Sequence, residues 1–135
     1  ALTDTVGGQI QMYYSPPIVA IGHIKSGRLI ALASTGDTRL TALPAVPTAA
    51  EAGLKGFTLN VWYGFLAQAA APRPIIDKLN AEVNRALTQS DIREKLSSQG
   101  MDPFTSTPDQ FGALIKTDHA KYANIIKTAK IKLEQ

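Results

Sequence analysis

The sequence predicts an α/β fold, and two patterns along the chain carry this prediction. The run from Leu29 to Ala33 is continuously apolar, which is typical of a strand buried on both faces of a parallel sheet. From Ile75 to Leu87 an apolar side chain recurs at every fourth position, and Ile76 widens the stripe, which indicates an amphipathic helix. Strands and helices of these kinds alternate in α/β domains.

The first part of the chain alternates between helix and strand signals. Gly7 and Gly8 supply the left-handed stop of a short helix, and Pro16 ends a strand because proline cannot donate a ladder hydrogen bond. Ser26 and Gly27 close the next helix. The predicted elements, in order, are a helix over 1–6, a strand over 9–14, a helix over 18–25 and a strand over 29–33.

A proline-containing connector over 34–47 separates this part from a mostly helical second half. Thr48 and Glu51 form a capping box ahead of a very short helix. In a capping box, the side chain of each residue accepts a hydrogen bond from the backbone amide of the other. Ser90 is expected to cap a later helix that Gly100 ends. The remaining predictions are a strand over 57–67, a helix over 75–88, a short strand over 101–104 and a last helix opening with Thr107, Pro108 and Gln110. The predicted buried stripe of that last helix comprises Phe111, Leu114, Ile115, Tyr122, Ile125 and Ile126.

Composition and charge exclude several classes of protein. The 135 residues are 44% hydrophobic, which suffices for one ordinary core, and the absence of cysteine excludes disulfides and thiolate chemistry. No apolar run approaches the roughly 20 residues of a membrane-spanning helix. The net charge of +3 is scattered, and its densest cluster, Lys127, Lys130 and Lys132, lacks the interleaved aromatics that stack on bases. No nucleic-acid partner is therefore predicted.

The catalytic and metal-binding patterns that mark an enzyme do not assemble in this sequence. No nucleophile is paired with a base, and no pair of carboxylates is arranged for acid–base work. His23 and His119 both lack the i, i+4 partner of a zinc-binding helix. We therefore predict no catalytic residue, no metal ligand and no cofactor.

Two short segments carry polar and aromatic side chains at the ends of predicted strands, where open α/β sheets bind ligands. They are Tyr14–Ser15 and Trp62–Tyr63–Gly64. Hydroxyls and backbone amides hold a carboxylate without a full counter-charge, while an indole packs against a ligand's carbon skeleton. The alternative interpretation is that these aromatics fill the core or line an interface.

A set of short motifs resembles the Bug-type receptors of tripartite tricarboxylate transporters, in the order and spacing of that family. The matching residues are Ala1–Asp4, Val6–Gly8, Tyr14–Ser15, His23–Leu29, Ala31–Thr35 with Arg39, Leu43–Thr48, Glu51–Gly53, Trp62–Gly64, Ala71–Pro72, Leu79–Asn84, Gln99–Gly100 and Thr107–Pro108. The resemblance covers essentially the whole chain. Many members place an acidic residue where Tyr14 stands, and its loss here removes a reason to expect an amino-acid ligand.

The resemblance implies part of a type II periplasmic binding protein, an α/β fold with two lobes and a ligand cleft between them. Residues 1–35 are expected to end the second lobe, 36–56 to form the crossover, and 57–135 to form the returning part of the first lobe with the C-terminal helices. Members of the family are longer, so the N-terminal half or a second copy is an expected partner. The opening residues show no signal-peptide pattern, so an exported form is expected to be processed or truncated.

The function that the resemblance implies is non-catalytic capture of a small organic acid in the periplasm, for delivery to membrane transporter subunits. The expected site residues are Tyr14 and Ser15 on the second-lobe side of the cleft, Trp62 and Tyr63 on the opposing wall, and Ser34, Thr35 and Arg39 at the hinge or cleft edge. The alternatives are a ligand-sensing protein that signals to a membrane partner, and a small α/β enzyme.

Overall fold

The computed structural model describes residues 1–131, and this part of the chain is mostly helical. Its five α-helices are α1 (Leu2–Val6), α2 (Pro17–Lys25), α3 (Arg73–Thr88), α4 (Ser90–Ser98) and α5 (Pro108–Thr128). Each lies where the sequence predicts a helix, apart from small differences at the ends. Lys132 of the lysine cluster lies outside the described residues.

The chain forms two compact units. The first comprises Ala1–Leu66 and Leu87–Pro103, and it contains α1, α2 and α4. The second comprises Ala67–Ala86 and Phe104–Gln135, with most of α3 and all of α5. The assignment of chain segments to two receptor lobes stays a prediction, because these units describe this chain alone.

Helix ends follow local backbone signals. Gly8, Gly27 and Gly100 have φ values of 77°, 73° and 78°, the left-handed conformation that commonly ends a helix. The predicted capping box of α5 is confirmed, because the Gln110 amide donates to the Thr107 hydroxyl at 3.1 Å and the Thr107 amide donates to the Gln110 side chain at 2.9 Å. These features depend on residues only a few positions apart, so the sequence alone predicts them.

Two local predictions are wrong in detail. Ser90 is the first helical residue of α4 instead of its cap. The Thr48–Glu51 capping box is present, but it opens a single turn, closed by the Ala52 amide on the Thr48 carbonyl at 2.9 Å, and no helix follows. Gly53 then adopts a φ of 100°, so the chain leaves the helical conformation before a second turn forms.

The four predicted strands are not paired in this chain. Among residues 1–131 the one β contact is an isolated parallel bridge between Ser34 and Thr48. The segment over 9–14 begins with bends, whereas 30–33 and 57–68 run without a turn or bend and are not assigned to a strand. A strand is stabilised by hydrogen bonds to a neighbouring strand, so an apolar pattern alone does not establish one.

Burial is sparse in this chain. The buried residues include Ala20, Ile21, Thr48 and Ala49. The predicted stripes of α3 and α5 are incompletely covered, because Ile75, Leu79 and Ile125 are 50%, 53% and 43% exposed. The accessible surface is 10258 Å², whereas a complete monomer of 14.4 kDa exposes about 6,800 Å². The chain therefore leaves far more surface exposed than a self-contained domain of its mass.

Polar contacts join α3 to the start of α5 within the second unit. The side-chain amides of Asn80 and Asn84 donate to the Ser106 carbonyl at 2.9 and 3.0 Å. Arg73 also lies 2.8 Å from Asp77 and 3.5 Å from Asp109, in exposed ion pairs that contribute little to stability. Within residues 1–131, no helix is both long and apolar enough to cross a membrane, and no three His, Cys, Asp or Glu residues are grouped as metal ligands.

Candidate functional site

In the first unit, the two ends of the connector are joined by backbone hydrogen bonds between Ser34 and residues 47–49, and we call this pairing the neck. The Ser34 amide donates to the Pro47 carbonyl at 2.8 Å, and the Ala49 amide donates to the Ser34 carbonyl at 2.6 Å. Thr48 and Ala49 are buried at this point. The Ser34 hydroxyl oxygen is also buried, and it has no hydrogen-bond partner in the described part of the chain. The neck therefore fixes the position of the next residue, Thr35.

Two hydroxyls and a carbonyl form a chain of hydrogen bonds beside the neck. The Tyr14 hydroxyl lies 3.1 Å from Thr35 Oγ1, and Thr35 Oγ1 donates to the Leu59 carbonyl at 2.8 Å. The Leu59 amide donates to the Thr35 carbonyl at 2.9 Å. Three segments that are distant in sequence meet here, and two of the expected site residues, Tyr14 and Thr35, are in contact. We call these groups the hydroxyl chain.

The Leu59 carbonyl fixes the direction of the hydroxyl chain. A carbonyl oxygen only accepts, so the single hydroxyl proton of Thr35 lies on the bond to Leu59. Thr35 consequently accepts its other bond from Tyr14. Tyr14 is 50% exposed, and its hydroxyl oxygen has lone pairs that the bond to Thr35 does not use.

Ser15 also donates its hydroxyl proton within the protein. Its hydroxyl donates to the Pro16 carbonyl at 3.1 Å, immediately before α2 begins at Pro17. Ser15 is half-buried. The protons of both Tyr14 and Ser15 are therefore donated to protein oxygens.

Trp62 and Tyr63 lie on the segment that begins beside Thr35. They follow Leu59 by three and four residues, and the segment contains no turn or bend. Their Cα atoms are thus at most about 14 Å from that of Leu59. Trp62 is half-buried, whereas Tyr63 is 65% exposed. The aromatic pair therefore lies on the continuous segment that starts beside Thr35.

Arg39, expected at the hinge or cleft edge, contacts groups of the connector and the turn after it. Its Nε lies 2.9 Å from Glu51 Oε2, and its terminal nitrogen donates to the Pro44 carbonyl at 3.1 Å. The Glu51 carboxylate also accepts from the Thr48 amide at 2.7 Å. The hydrogen bond from Arg39, followed by the one from the Thr48 backbone, lowers the pKa of Glu51 below its usual 4.5. The charge of Arg39 is therefore already paired within the protein.

Sequence reasoning missed an open polar groove of about 490 Å³ in the first unit. Its lining comprises Thr38, Arg39, Thr41, Arg93, Glu94, Ser97 and Asp102. These residues come from the connector, from α4 and from the segment after α4, so no local motif marks them. Two arginines are matched by two carboxylates, and the groove therefore carries no net charge that would favour an organic acid.

The chain matches a family of transport receptors along its described length. The model of the tripartite tricarboxylate transporter family receptor covers residues 1–131. Protein BugT of Bordetella pertussis is 33% identical over 134 residues, which are 99% of this chain and 41% of BugT. A UPF0065 protein from the tcbD-tcbE intergenic region of Pseudomonas sp. strain P51 is 32% identical over 136 residues, with 100% of this chain and 40% of that protein covered. The chain therefore spans less than half the length of these relatives.

Solved structures of periplasmic binding proteins share the fold of this chain. A structure of a periplasmic transporter superposes with a TM-score of 0.87 at 34% identity, over 99% of this chain and 45% of that one. The structure of Rpa4515 of R. palustris with adipate superposes with a TM-score of 0.86 at 26% identity, over 96% of this chain and 44% of that one. The structure of MatC of Rhodopseudomonas palustris with bound malate superposes with a TM-score of 0.74 at 33% identity, over 93% of this chain and 44% of that one.

These matches confirm the predicted fold class, because the neighbours are periplasmic binding proteins that this chain covers in part. Such proteins bind solutes, and neither the family nor the fold is that of an enzyme. The family model matches residues 1–131, which are the residues that the structure describes. The chain belongs to the tripartite tricarboxylate transporter receptor family.

Proposed function

We propose that this chain is part of a periplasmic receptor that captures a small carboxylate and presents it to the subunits of a membrane transporter. The observation that carries the proposal is the match of residues 1–131 to this receptor family. Tyr14, Thr35 and Leu59 meet beside the neck, where polar groups can orient a ligand. Two relatives of the same fold were solved with adipate and with malate. A dicarboxylate or a related organic acid is therefore the ligand class that we propose.

In this proposal Tyr14 and Ser15 line one side of the ligand cleft, and Trp62 and Tyr63 form the opposing wall. Aromatic rings cover the carbon skeleton of a ligand, while a few polar atoms fix its orientation. The neck at Ser34 and the adjoining Thr35 serve as the hinge. Two-lobed receptors close around ligands by changes at a few connecting residues, and the short neck supports this role.

The test is the affinity of the full-length receptor containing these residues for a panel of dicarboxylates that includes adipate and malate. Isothermal titration calorimetry should show that Trp62→Ala weakens binding at least tenfold, about 1.4 kcal/mol, because aromatic anchors contribute strongly to affinity. Phe57→Ala is the matched control, since this aromatic is 52% exposed, begins the same segment and lies outside the proposed cleft wall. Unchanged affinity in Trp62→Ala would remove that residue from the site, and a wild type that binds no dicarboxylate would contradict carboxylate capture.

We also propose that the rest of the receptor covers the exposed apolar segments of this chain. Ile30 and Leu32 are 84% and 68% exposed, and Phe65 and Leu66 are 82% and 80% exposed. Among the described residues, the backbone over 30–33 makes no backbone hydrogen bond, which leaves edges that another strand can join.

The remainder of the receptor, expected from the sequence to be its N-terminal half, is the occupant that we favour over a second copy. The matching relatives are more than twice as long as the part that this chain covers. The accessible surface of this chain exceeds that expected for a complete monomer of its mass by about 3,400 Å². An area of this size is within the range that obligate interfaces bury.

A further inference from the structure

Tyr14 and Ser15 both donate their hydroxyl protons within the protein. The Tyr14 proton is donated to Thr35, the Thr35 proton to the Leu59 carbonyl, and the Ser15 proton to the Pro16 carbonyl. Each hydroxyl carries a single proton. Neither Tyr14 nor Ser15 can therefore donate to a ligand carboxylate without first breaking a hydrogen bond within the protein.

This polarity favours a ligand group that carries a proton. A carboxylate only accepts hydrogen bonds, so its oxygens would face the lone pairs of Tyr14 and Ser15. A ligand hydroxyl donates to those lone pairs and leaves the hydroxyl chain intact, and hydrogen bonds in such a chain strengthen one another. An ammonium group also donates, but the neutral hydroxyls provide no charge to offset the cost of removing it from water.

We infer that Tyr14 is a specificity-determining residue that accepts a hydrogen bond from a hydroxyl group of the ligand. The receptor then prefers a hydroxylated dicarboxylate to the same acid without the hydroxyl. This inference rests on the proposed capture of a carboxylate, and it adds which substituent the site selects.

The test compares malate with succinate, which share a carbon skeleton and differ by one hydroxyl group. Affinities are measured by calorimetry on the full-length receptor that contains these residues. The wild type should bind malate about tenfold more tightly than succinate, the factor expected for one hydrogen bond. Tyr14→Phe should reduce the affinity for malate by about the same factor and leave the affinity for succinate unchanged.

Thr35→Val is the matched variant, because it keeps the Tyr14 hydroxyl and removes the oxygen that accepts its proton. The released proton allows Tyr14 to donate to a carboxylate, so the preference for malate should shrink while binding of succinate holds or strengthens. Thermal unfolding of both variants verifies that they are folded before affinities are compared.

The possible outcomes separate this inference from the proposed function. Equal losses for both acids in Tyr14→Phe, an unchanged preference in that variant, or a wild type that does not prefer malate would overturn the role of Tyr14 and leave carboxylate capture intact. A wild type that binds neither of these acids nor any other dicarboxylate would overturn both.

Discussion

The Glu51 carboxylate ties the connector to the turn that follows it, because it accepts hydrogen bonds from Arg39 and from the Thr48 amide. The Arg39 bond is the largest cause that lowers the pKa of Glu51 below 4.5. A carboxyl group whose pKa is lower in the folded state stabilises that state when ionised. This stabilisation is present above about pH 4.5 and is lost as the pH falls through the folded pKa.

We expect Glu51→Gln to be less stable than the wild type at neutral pH, with a difference that narrows below pH 4.5. Urea unfolding of the full-length receptor across this pH range measures the free energy of unfolding for both proteins. Glu94→Gln is the control, because Glu94 makes no ion pair among the described residues. A difference between wild type and Glu51→Gln that stays constant with pH would contradict this account.

Two features of the structure disfavour a side chain at position Gly100. Its φ is 78°, and a Cβ atom at this position would lie 2.6 Å from Cβ of Pro17. Gly56 has a φ of 77° with nothing within 4 Å of its added Cβ, so it isolates the backbone effect. We expect Gly56→Ala to lower the free energy of unfolding by about 1–2 kcal/mol and Gly100→Ala to lower it further, as measured by urea unfolding. Equal losses would show that the clash with Pro17 is relieved without cost.

Individual candidate residues follow from the sequence, but their arrangement does not. The family resemblance identifies Tyr14 and Thr35 as separate candidates, in the cleft and at the hinge. Their contact depends on Leu59, which is 24 residues from Thr35. The direction of the hydrogen bonds depends on that carbonyl, and no sequence pattern contains this information. Arg39, expected at the hinge or cleft edge, is likewise paired with Glu51, and no local sequence pattern marks this pair.

Among the helices, α5 provides the clearest test of a local sequence signal. Thr107→Ala removes the side chain that accepts from the Gln110 amide, so we expect a loss of about 1 kcal/mol in the free energy of unfolding. Thr107→Ser keeps the hydroxyl and should remain within a few tenths of a kcal/mol of the wild type. Urea unfolding of the full-length receptor measures both values. Equal destabilisation by Ala and Ser would mean that the methyl group, instead of the cap, stabilises this end of α5.

The helices were predictable because their signals lie within a few residues of each other, as in the glycines that follow α2 and α4. The strands were not established by sequence, because a strand depends on hydrogen bonds to another segment. Residues 30–33 have the apolar pattern of a buried strand, yet Ile30 and Leu32 are exposed here. The pattern is consistent with burial in a larger structure than this chain.

For the whole molecule, we expect the 135-residue chain to bind a polypeptide that supplies the rest of the receptor. Separate expression followed by mixing should give a one-to-one complex with a single cooperative unfolding transition. Amide hydrogen exchange over 30–33 and 63–66 should slow in the complex, because these exposed segments become covered. The double variant Ile30→Lys, Phe65→Lys is the control, since charges on these exposed faces should prevent assembly. A stable homodimer that excludes the added polypeptide would contradict the proposed occupant.

The exposed segment over 63–66 also bears on how long an unassembled chain survives. Exposed loop segments are preferred sites of proteolytic cleavage. Tyr63, Phe65 and Leu66 are at least 65% exposed, and proteases with an apolar specificity pocket accept such side chains. We therefore expect a copy without its proposed partner to be cut first at this segment, and an assembled receptor to be protected. The surface proposed for assembly thus also exposes incomplete receptors to degradation.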